Sequence, residues 1–214
     1  MASADAPVRA RAFGQDRRPS PVDALGVWLS TRRVRRSAPS LDGARLGDFG
    51  CGYHATWVRP VLDRLASAVL VDVALADDLK AHPKVTGLEG ALPAVLGRVP
   101  DASLDVVTCL NVLEHLWDPA AVLAECRRVV VPGGVCLFNV PSWLGKRALE
   151  LSAFRLGLSP AEEMDDHKAY YDPSDLWPLL VRAGFVPHNI RCFRHKLGMN
   201  TFAVCRVDPG RPAT

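Results

Sequence analysis

Two glycines between two carboxylates are the residues of this sequence best suited to hold a ligand. Asp48 ends a short apolar run ahead of Gly50 and Gly52, and Asp72 ends a second apolar run about 20 residues beyond the glycines. Glycine lacks a Cβ atom, so it permits a tight turn and lets a ligand approach the backbone closely. A carboxylate at the end of the second strand is where a doubly wound sheet binds ribose hydroxyls. The pattern predicts a nucleotide-like ligand on a strand–loop–helix unit, and it leaves a dinucleotide and another adenosine compound both open.

The stretch Gly50-Cys51-Gly52-Tyr53-His54-Ala55 also matches the dinucleotide-binding fingerprint in its Ala-terminated form. We expect the loop to present backbone N–H groups at the start of a helix, which favours a polar or negatively charged group of the ligand. An NAD(P)-dependent oxidoreductase is therefore one alternative function. Against it, neither Tyr170 nor Tyr171 has a lysine four residues further on.

The composition is typical of one α/β domain with a sizeable core, since 49% of the 214 residues are hydrophobic. The net charge of +3 is too small to indicate nucleic-acid binding, and the basic excess lies in residues 1–40, which hold eight Arg and three Asp. Six cysteines occur without a Cys-x-x-Cys pair, which favours the reducing cytoplasm. No run of about 18 apolar residues is present, so we expect no membrane association. The oligomeric state stays open.

Strand-like apolar runs alternate with helical patterns along most of the chain. This alternation predicts a doubly wound α/β fold, in which a mostly parallel sheet is covered by helices on both faces. The apolar residues Val22, Leu25, Leu29 and Val34 should form the face by which the first helix packs on the domain. We expect helices over residues 21–36, 57–65, 119–130, 144–154 and 173–183, and a final hairpin of strands over 185–193 and 201–207.

The chain divides into an arm, a domain and a tail. Residues 1–40 are a basic N-terminal arm and a capping helix, residues 41–207 are the domain, and residues 208–214 are the tail. Within the domain, residues 141–172 make a connection much longer than compact domains normally use, so we interpret this segment as a lid-like insertion.

The sequence resembles the class I S-adenosylmethionine-dependent methyltransferases in five stretches that occur in the family's order, over about residues 40–207. The resemblance implies a seven-stranded sheet whose last strand is antiparallel, and S-adenosylmethionine as the cofactor. The stretches are Asp48-Phe49-Gly50-Cys51-Gly52, Asp72, the run from Leu104 through Asn111-Val112-Leu113-Glu114-His115-Leu116, Val130-Val131-Pro132-Gly133-Gly134, and Leu176 to Phe185 with the closing hairpin.

The resemblance also implies the cofactor contacts. Asp48 should face the ammonium group of the methionine moiety, and Asp72 should bind both ribose hydroxyls. The chain departs from the family at His54, where many members have a third glycine, and at Leu88, where a carboxylate often accepts from the adenine amino group. Glu89 or a backbone carbonyl would then supply that acceptor. The expected cofactor-binding residues are Asp48, Gly50, Cys51, Gly52, Asp72, Val73, Leu88, Glu89, Asn111 and Val112.

For the acceptor we expect a small molecule, methylated on a hydroxyl oxygen by in-line displacement. A hydroxyl nucleophile benefits from a general base, and His167 and His115 are the candidates. Trp143, Tyr170 and Tyr171 are expected to line the acceptor pocket. A metal held by Glu114, His115 and His167 is a further hypothesis, but Asn111 stands where related metal sites have a carboxylate, so we expect no metal. The remaining alternative is a non-catalytic subunit that binds the cofactor or regulates a partner.

Overall fold

The structure is a computed structural model that describes residues 11–16, 20–148 and 167–209. Its first helix, α1 (Pro21–Ser37), begins at a capping box in which the Ser20 hydroxyl accepts from the Asp23 N–H and the Asp23 carboxylate accepts from the Ser20 N–H. The predicted bounds are confirmed, but the predicted apolar face is wrong in part. Val34 is buried, whereas Val22 and Leu25 are exposed, because the helix turns Ser30 and Val34 towards the sheet.

Seven strands form one sheet in the order β3-β2-β1-β4-β5-β7-β6. Strands β1 to β5 pair in parallel, and β7 runs antiparallel to both β5 and β6, which confirms the predicted doubly wound sheet with its antiparallel last strand. The strands are β1 (Arg45–Phe49), β2 (Ser67–Asp72), β3 (Val85–Glu89), β4 (Leu104–Leu110), β5 (Val130–Pro141), β6 (Ile190–His195) and β7 (Asn200–Arg206).

The remaining elements connect these strands. The helix predicted over 57–65 is wrong as an α-helix, because turns lead into a 3-10 helix at Arg59–Arg64 with Pro60 in its first positions. The strand predicted from residue 185 begins later, at Ile190, after a 3-10 turn that Pro187 starts. The other helices of the described chain are α2 (Asp77–Lys80), α3 (Pro119–Val129) and α4 (Pro173–Arg182), with a further helical stretch at 143–148 and short 3-10 helices at 94–98, 113–115 and 196–198.

Two apolar cores cover the two faces of the sheet. One contains Phe49, Phe138 and the buried side of α3 and α4, and the other contains Leu46 and Leu137 under α1. This division follows from the alternation of side chains along each strand. The carboxyl ends of β1 and β4 meet where the strand order reverses, which is where open α/β sheets bind their ligands.

Several sequence-based expectations concern residues outside the described ranges. These include the first ten residues of the arm, most of the helix expected over 144–154, the acidic run up to Asp166, and residues 210–214. The lid-like insertion therefore stays a prediction. Among the described residues, no helix is both long and apolar enough to cross a membrane.

Candidate active site

The glycine loop after β1 is tied to the end of β2 by its own backbone. The N–H groups of Gly50 and Cys51 donate to the Val71 carbonyl over 2.7 and 3.1 Å, and the Gly52 N–H donates to Oδ2 of Asp72 over 2.8 Å. The next N–H group, of Tyr53, donates to the Phe13 carbonyl over 2.9 Å. The expectation that these N–H groups face a polar or negatively charged group of the ligand at a helix start is therefore wrong, because all four are bonded within the protein.

This outcome separates the two ligands that the sequence left open. A dinucleotide places its pyrophosphate on such N–H groups at the N-terminus of an α-helix. Here the amides of residues 50 to 53 are used within the protein, and turns and a 3-10 helix stand in place of the α-helix. The loop favours an adenosine compound without a phosphate at this position.

Close approach of protein atoms explains both glycines. Gly50 has φ +77°, and a Cβ atom added there would overlap the side chain of Val112. Gly52 has φ +74°, and its Cβ atom would lie 3.2 Å from the Phe13 carbonyl oxygen. Any side chain at either position would be strained by the backbone conformation as well.

Asp48 is the one carboxylate of β1, and it is buried beneath the loop with 1% of its surface exposed. Its Oδ1 accepts from the Thr108 hydroxyl over 2.6 Å. Burial raises the pKa of Asp48 to about 7, against smaller lowering effects of the Thr108 hydroxyl and the Trp57 indole. The indole does not reach regular hydrogen-bond geometry, and neither Oδ2 of Asp48 nor Nε1 of Trp57 has a partner among the described residues. An ammonium group is the kind of donor that would satisfy Oδ2 and lower this pKa again.

Asp72 organises the start of the loop that follows β2. Its Oδ1 accepts from the Val73 N–H over 2.8 Å, while its Oδ2 accepts from the Gly52 N–H. A carboxylate oxygen has two lone pairs, so the hydrogen bonds from these two N–H groups do not by themselves prevent Asp72 from accepting from a ribose hydroxyl.

Glu89 has a structural partner in the position where an adenine acceptor was expected. Its Oε1 accepts from the Leu75 N–H over 2.8 Å and from the Lys80 ammonium over 3.3 Å. The Leu75 N–H is the main cause that lowers the pKa of Glu89. Glu89 therefore holds the segment that carries Val73, and Leu88 next to it is buried in the core. The proposed contact of Glu89 with adenine stays a prediction.

Asn111 is held in a left-handed conformation (φ +55°) by two other asparagines. Its N–H donates to the Asn139 carbonyl over 2.7 Å, and its Oδ1 accepts from Asn139 Nδ2 over 2.7 Å and from Asn200 Nδ2 over 3.4 Å. Sequence reasoning missed the roles of Asn139 and Thr108. The available signal was a polar residue inside an otherwise apolar buried strand, which requires a partner.

Both candidate bases lie together. The rings of His115 and His167 are 4.8 Å apart, and Nδ1 of His167 lies 3.1 Å from the Tyr170 hydroxyl oxygen. Glu114 is buried beside them, and one ligand atom from each of Glu114, His115 and His167 lies within 4.8 Å of the others. Donors on one tetrahedral zinc ion would be about 3.4 Å apart, so these three would have to move closer to share a metal.

The three residues predicted to line the acceptor pocket do not all lie together. Trp143 is half-exposed, and its ring lies 5.6 Å from that of Tyr170, which also contacts His167. Tyr171 instead packs in the core, where its N–H donates to the Pro141 carbonyl and burial raises its pKa. Trp143, Tyr170 and His167 therefore form one cluster, and Tyr171 belongs to the core instead.

Comparison with known proteins agrees with this geometry. Residues 26–189 match the family model described as a methyltransferase domain. A probable S-adenosylmethionine-dependent methyltransferase of Mycolicibacterium smegmatis is 31% identical over 165 residues, which are 74% of this chain and 59% of that protein. A ubiquinone biosynthesis O-methyltransferase of Bordetella pertussis is 28% identical, over 74% of this chain and 68% of its own length.

Solved structures show the same fold at low sequence identity. An S-adenosylmethionine-dependent methyltransferase from Archaeoglobus fulgidus aligns with a TM-score of 0.62 and 17% identity, over 84% of this chain and 94% of its own. A [4+2]-cyclase aligns with a TM-score of 0.63 and 16% identity, over 95% and 88% of the two chains. The chain spans 59% of the length of the Mycolicibacterium smegmatis relative, and 58% of the length of a probable S-adenosylmethionine-dependent methyltransferase of Mycobacterium tuberculosis. By its family match and its sheet topology, the chain belongs to the class I S-adenosylmethionine-dependent methyltransferases.

Proposed function

We propose that this chain binds S-adenosylmethionine at the carboxyl ends of β1, β2 and β4 and methylates a hydroxyl oxygen of a small molecule. The observation that carries the proposal is the set of polar groups at the carboxyl end of β1 and in the loop that follows it. A buried carboxylate, Asp48, has one oxygen without a partner among the described residues, while the loop amides are already used within the protein. Such a loop suits a ligand with an ammonium group and no phosphate.

The family's cofactor supplies an electrophilic methyl group on a sulfonium sulfur. Oδ2 of Asp48 would accept from the ammonium group of its methionine part, and the carboxylate of Asp72 would accept from the ribose hydroxyls. Val73, held by the Asp72 carboxylate, would pack against the adenine ring. The proposed cofactor site is completed by Gly50, Cys51, Gly52, Leu88, Glu89, Asn111 and Val112.

His167 is the proposed general base for the acceptor hydroxyl. If its Nδ1–H donates to the Tyr170 hydroxyl oxygen, the lone pair of the ring lies on Nε2, and this atom would accept the proton of the acceptor hydroxyl. His115 lies beside it and would hold the ring in place. Trp143 and Tyr170 would form the wall that excludes water and orients the acceptor.

An oxygen acceptor is supported by the Bordetella pertussis relative, whose name specifies O-methylation. The second candidate function is a chain that keeps the fold and the cofactor site without methyl transfer. The [4+2]-cyclase of the same fold favours keeping this candidate open, because fold alone does not define chemistry. We also propose a cytoplasmic location and no nucleic-acid partner, since all six cysteines are free and the net charge is only +3.

Substitution of Asp72 tests the proposal. Charge-assisted hydrogen bonds are each worth about 1.5–3 kcal/mol, so Asp72→Ala should weaken binding of S-adenosylmethionine by about tenfold or more in calorimetry. Asp78→Ala is the matched control, since its carboxylate pairs with Arg59 on the surface beyond the same strand. Circular dichroism should show both variants folded. Equal affinity in Asp72→Ala, or a thermal midpoint that rises with NADH and not with S-adenosylmethionine, would contradict the assignment.

A further inference from the structure

A turn from the N-terminal arm lies on the glycine loop. Within the turn of residues 11–16, the Gln15 N–H donates to the Ala12 carbonyl over 3.2 Å and the Gln15 side chain accepts from the Ala12 N–H over 3.1 Å. Ala12 is buried, so the turn is packed against the domain. The Phe13 carbonyl accepts from the Tyr53 N–H, which bonds the turn to the loop directly.

The two segments also fit each other in shape. A Cβ atom on Gly52 would lie 3.7 Å from Cβ and Cδ1 of Phe13, which is ordinary van der Waals distance, but only 3.2 Å from its carbonyl oxygen. On the other side of the contact, a Cβ atom on Gly14 would lie 3.8 Å from the His54 ring. Glycine at position 52 therefore lets the turn dock against the loop, in addition to any room that it leaves for a ligand.

We infer that the turn of residues 11–16 is a wall of the cofactor site and that Phe13 is a cofactor-binding residue. This inference rests on the proposed function. The Phe13 ring is beside Gly52, whose N–H is bonded to Asp72, so it borders the position proposed for the ribose and the methionine chain. Phe13 is 39% exposed, and a cofactor that lies on the loop would cover part of its apolar surface.

In the opposite arrangement, the turn of residues 11–16 would occupy the cofactor site and would have to leave before the cofactor binds. We call this arrangement a plug. The hydrogen bond between the turn and the loop argues against it. If the turn left, the Tyr53 N–H would lose its acceptor at the moment when the cofactor covers the loop, and a covered N–H without a partner is costly. A wall keeps this bond in both states. The two arrangements predict opposite changes in affinity when the Phe13 side chain is removed.

The experiment measures the dissociation constant of S-adenosylhomocysteine for the full chain by calorimetry. Phe13→Ala should raise it about tenfold because the apolar contact is lost, and Phe13→Leu should raise it by a smaller factor. Leu25→Ala removes a half-exposed apolar side chain from α1 and should leave it unchanged. An unchanged or lower dissociation constant in Phe13→Ala would overturn the inference, and a lower one would indicate the plug.

Hydrogen exchange in the unmodified protein gives a second measurement that needs no variant. S-adenosylhomocysteine should slow exchange of the Tyr53 amide, which donates to the turn, and of the Gln15 amide, which donates within it. Faster exchange of these amides on binding, or no change, would overturn the inference. If the unmodified protein does not bind S-adenosylhomocysteine at all, the proposed function fails and this inference fails with it. Binding that is normal in the unmodified protein and in Phe13→Ala would overturn the inference alone.

Discussion

We expect ionised Asp48 to destabilise the free protein and to strengthen cofactor binding. The substitution Asp48→Asn separates these two effects. Burial raises the pKa of Asp48 from its ordinary value of 3.8 to about 7. Between these values the folded protein keeps a proton that the unfolded chain has lost. The free energy of unfolding therefore falls as the pH rises from about 4 to 7, and it changes no further from this group above pH 7.

The size of the effect follows from the shift. Roughly three pH units at about 1.4 kcal/mol each give a cost of about 4 kcal/mol for burying the ionised carboxylate at pH 8. Asparagine at position 48 has no charge to bury and can still accept from the Thr108 hydroxyl, but its amide N–H₂ must be desolvated. We expect Asp48→Asn to be about 2–4 kcal/mol more stable than the unmodified protein at pH 8, and about equally stable at pH 4.

Urea denaturation of both proteins between pH 4 and pH 8 measures this difference. His195 has its pKa lowered to about 4, mainly by burial, and contributes a pH dependence of the opposite sign, but it is present in both proteins and cancels. Asp105→Asn is the control, and for it we expect the opposite dependence of stability on pH. Its pKa is lowered by the hydrogen bonds from Arg45, so its stabilising effect is present at neutral pH and is lost as the pH falls. A stability difference for Asp48→Asn that is absent at pH 8, or constant with pH, would refute the reasoning.

The same variant should bind the cofactor more weakly. Binding of an ammonium group requires the ionised carboxylate, so the affinity of the unmodified protein for S-adenosylhomocysteine should fall about tenfold per pH unit below pH 7. In Asp48→Asn the affinity should be lower at pH 8 and nearly independent of pH. Equal affinity of the two proteins at pH 8 would show that Asp48 does not contact the ammonium group.

Two further predictions concern the chemistry. Activity on the true acceptor should survive EDTA, because Asn111 is not a carboxylate and the donor atoms of Glu114, His115 and His167 are up to 4.8 Å apart; loss of activity that magnesium or manganese restores would revive the metal hypothesis. His167→Asn should lower turnover by about 10²-fold with little change in cofactor affinity if it is the general base. The exposed His188→Asn is its control, and normal turnover in His167→Asn would exclude this role.

The local elements of this fold could be predicted from sequence because their signals are contained within a few residues. The capping box of Ser20 with Asp23 and the Asp118 cap before Pro119 start α1 and α3 where expected. Short stretches rich in apolar residues mark the buried parallel strands, as β2 and β4 confirm. The failure at 57–65 has the same origin, since apolar periodicity does not distinguish an α-helix from a packed 3-10 turn.

The sequence by itself determined the fold class, the family and the two carboxylates at or near the ends of β1 and β2, because each depends on short patterns in a set order. Only the tertiary structure decided what those residues contact. It brought Phe13 to the Tyr53 amide, placed Asn139 under Asn111, and joined His115 to His167 across a long connection. These contacts join residues far apart in the chain, and they depend on the order in which strands lie side by side and on the path by which the arm returns. No local pattern of residue types carries that information, so the partners of the loop amides and the raised pKa of Asp48 followed only from the packed sheet.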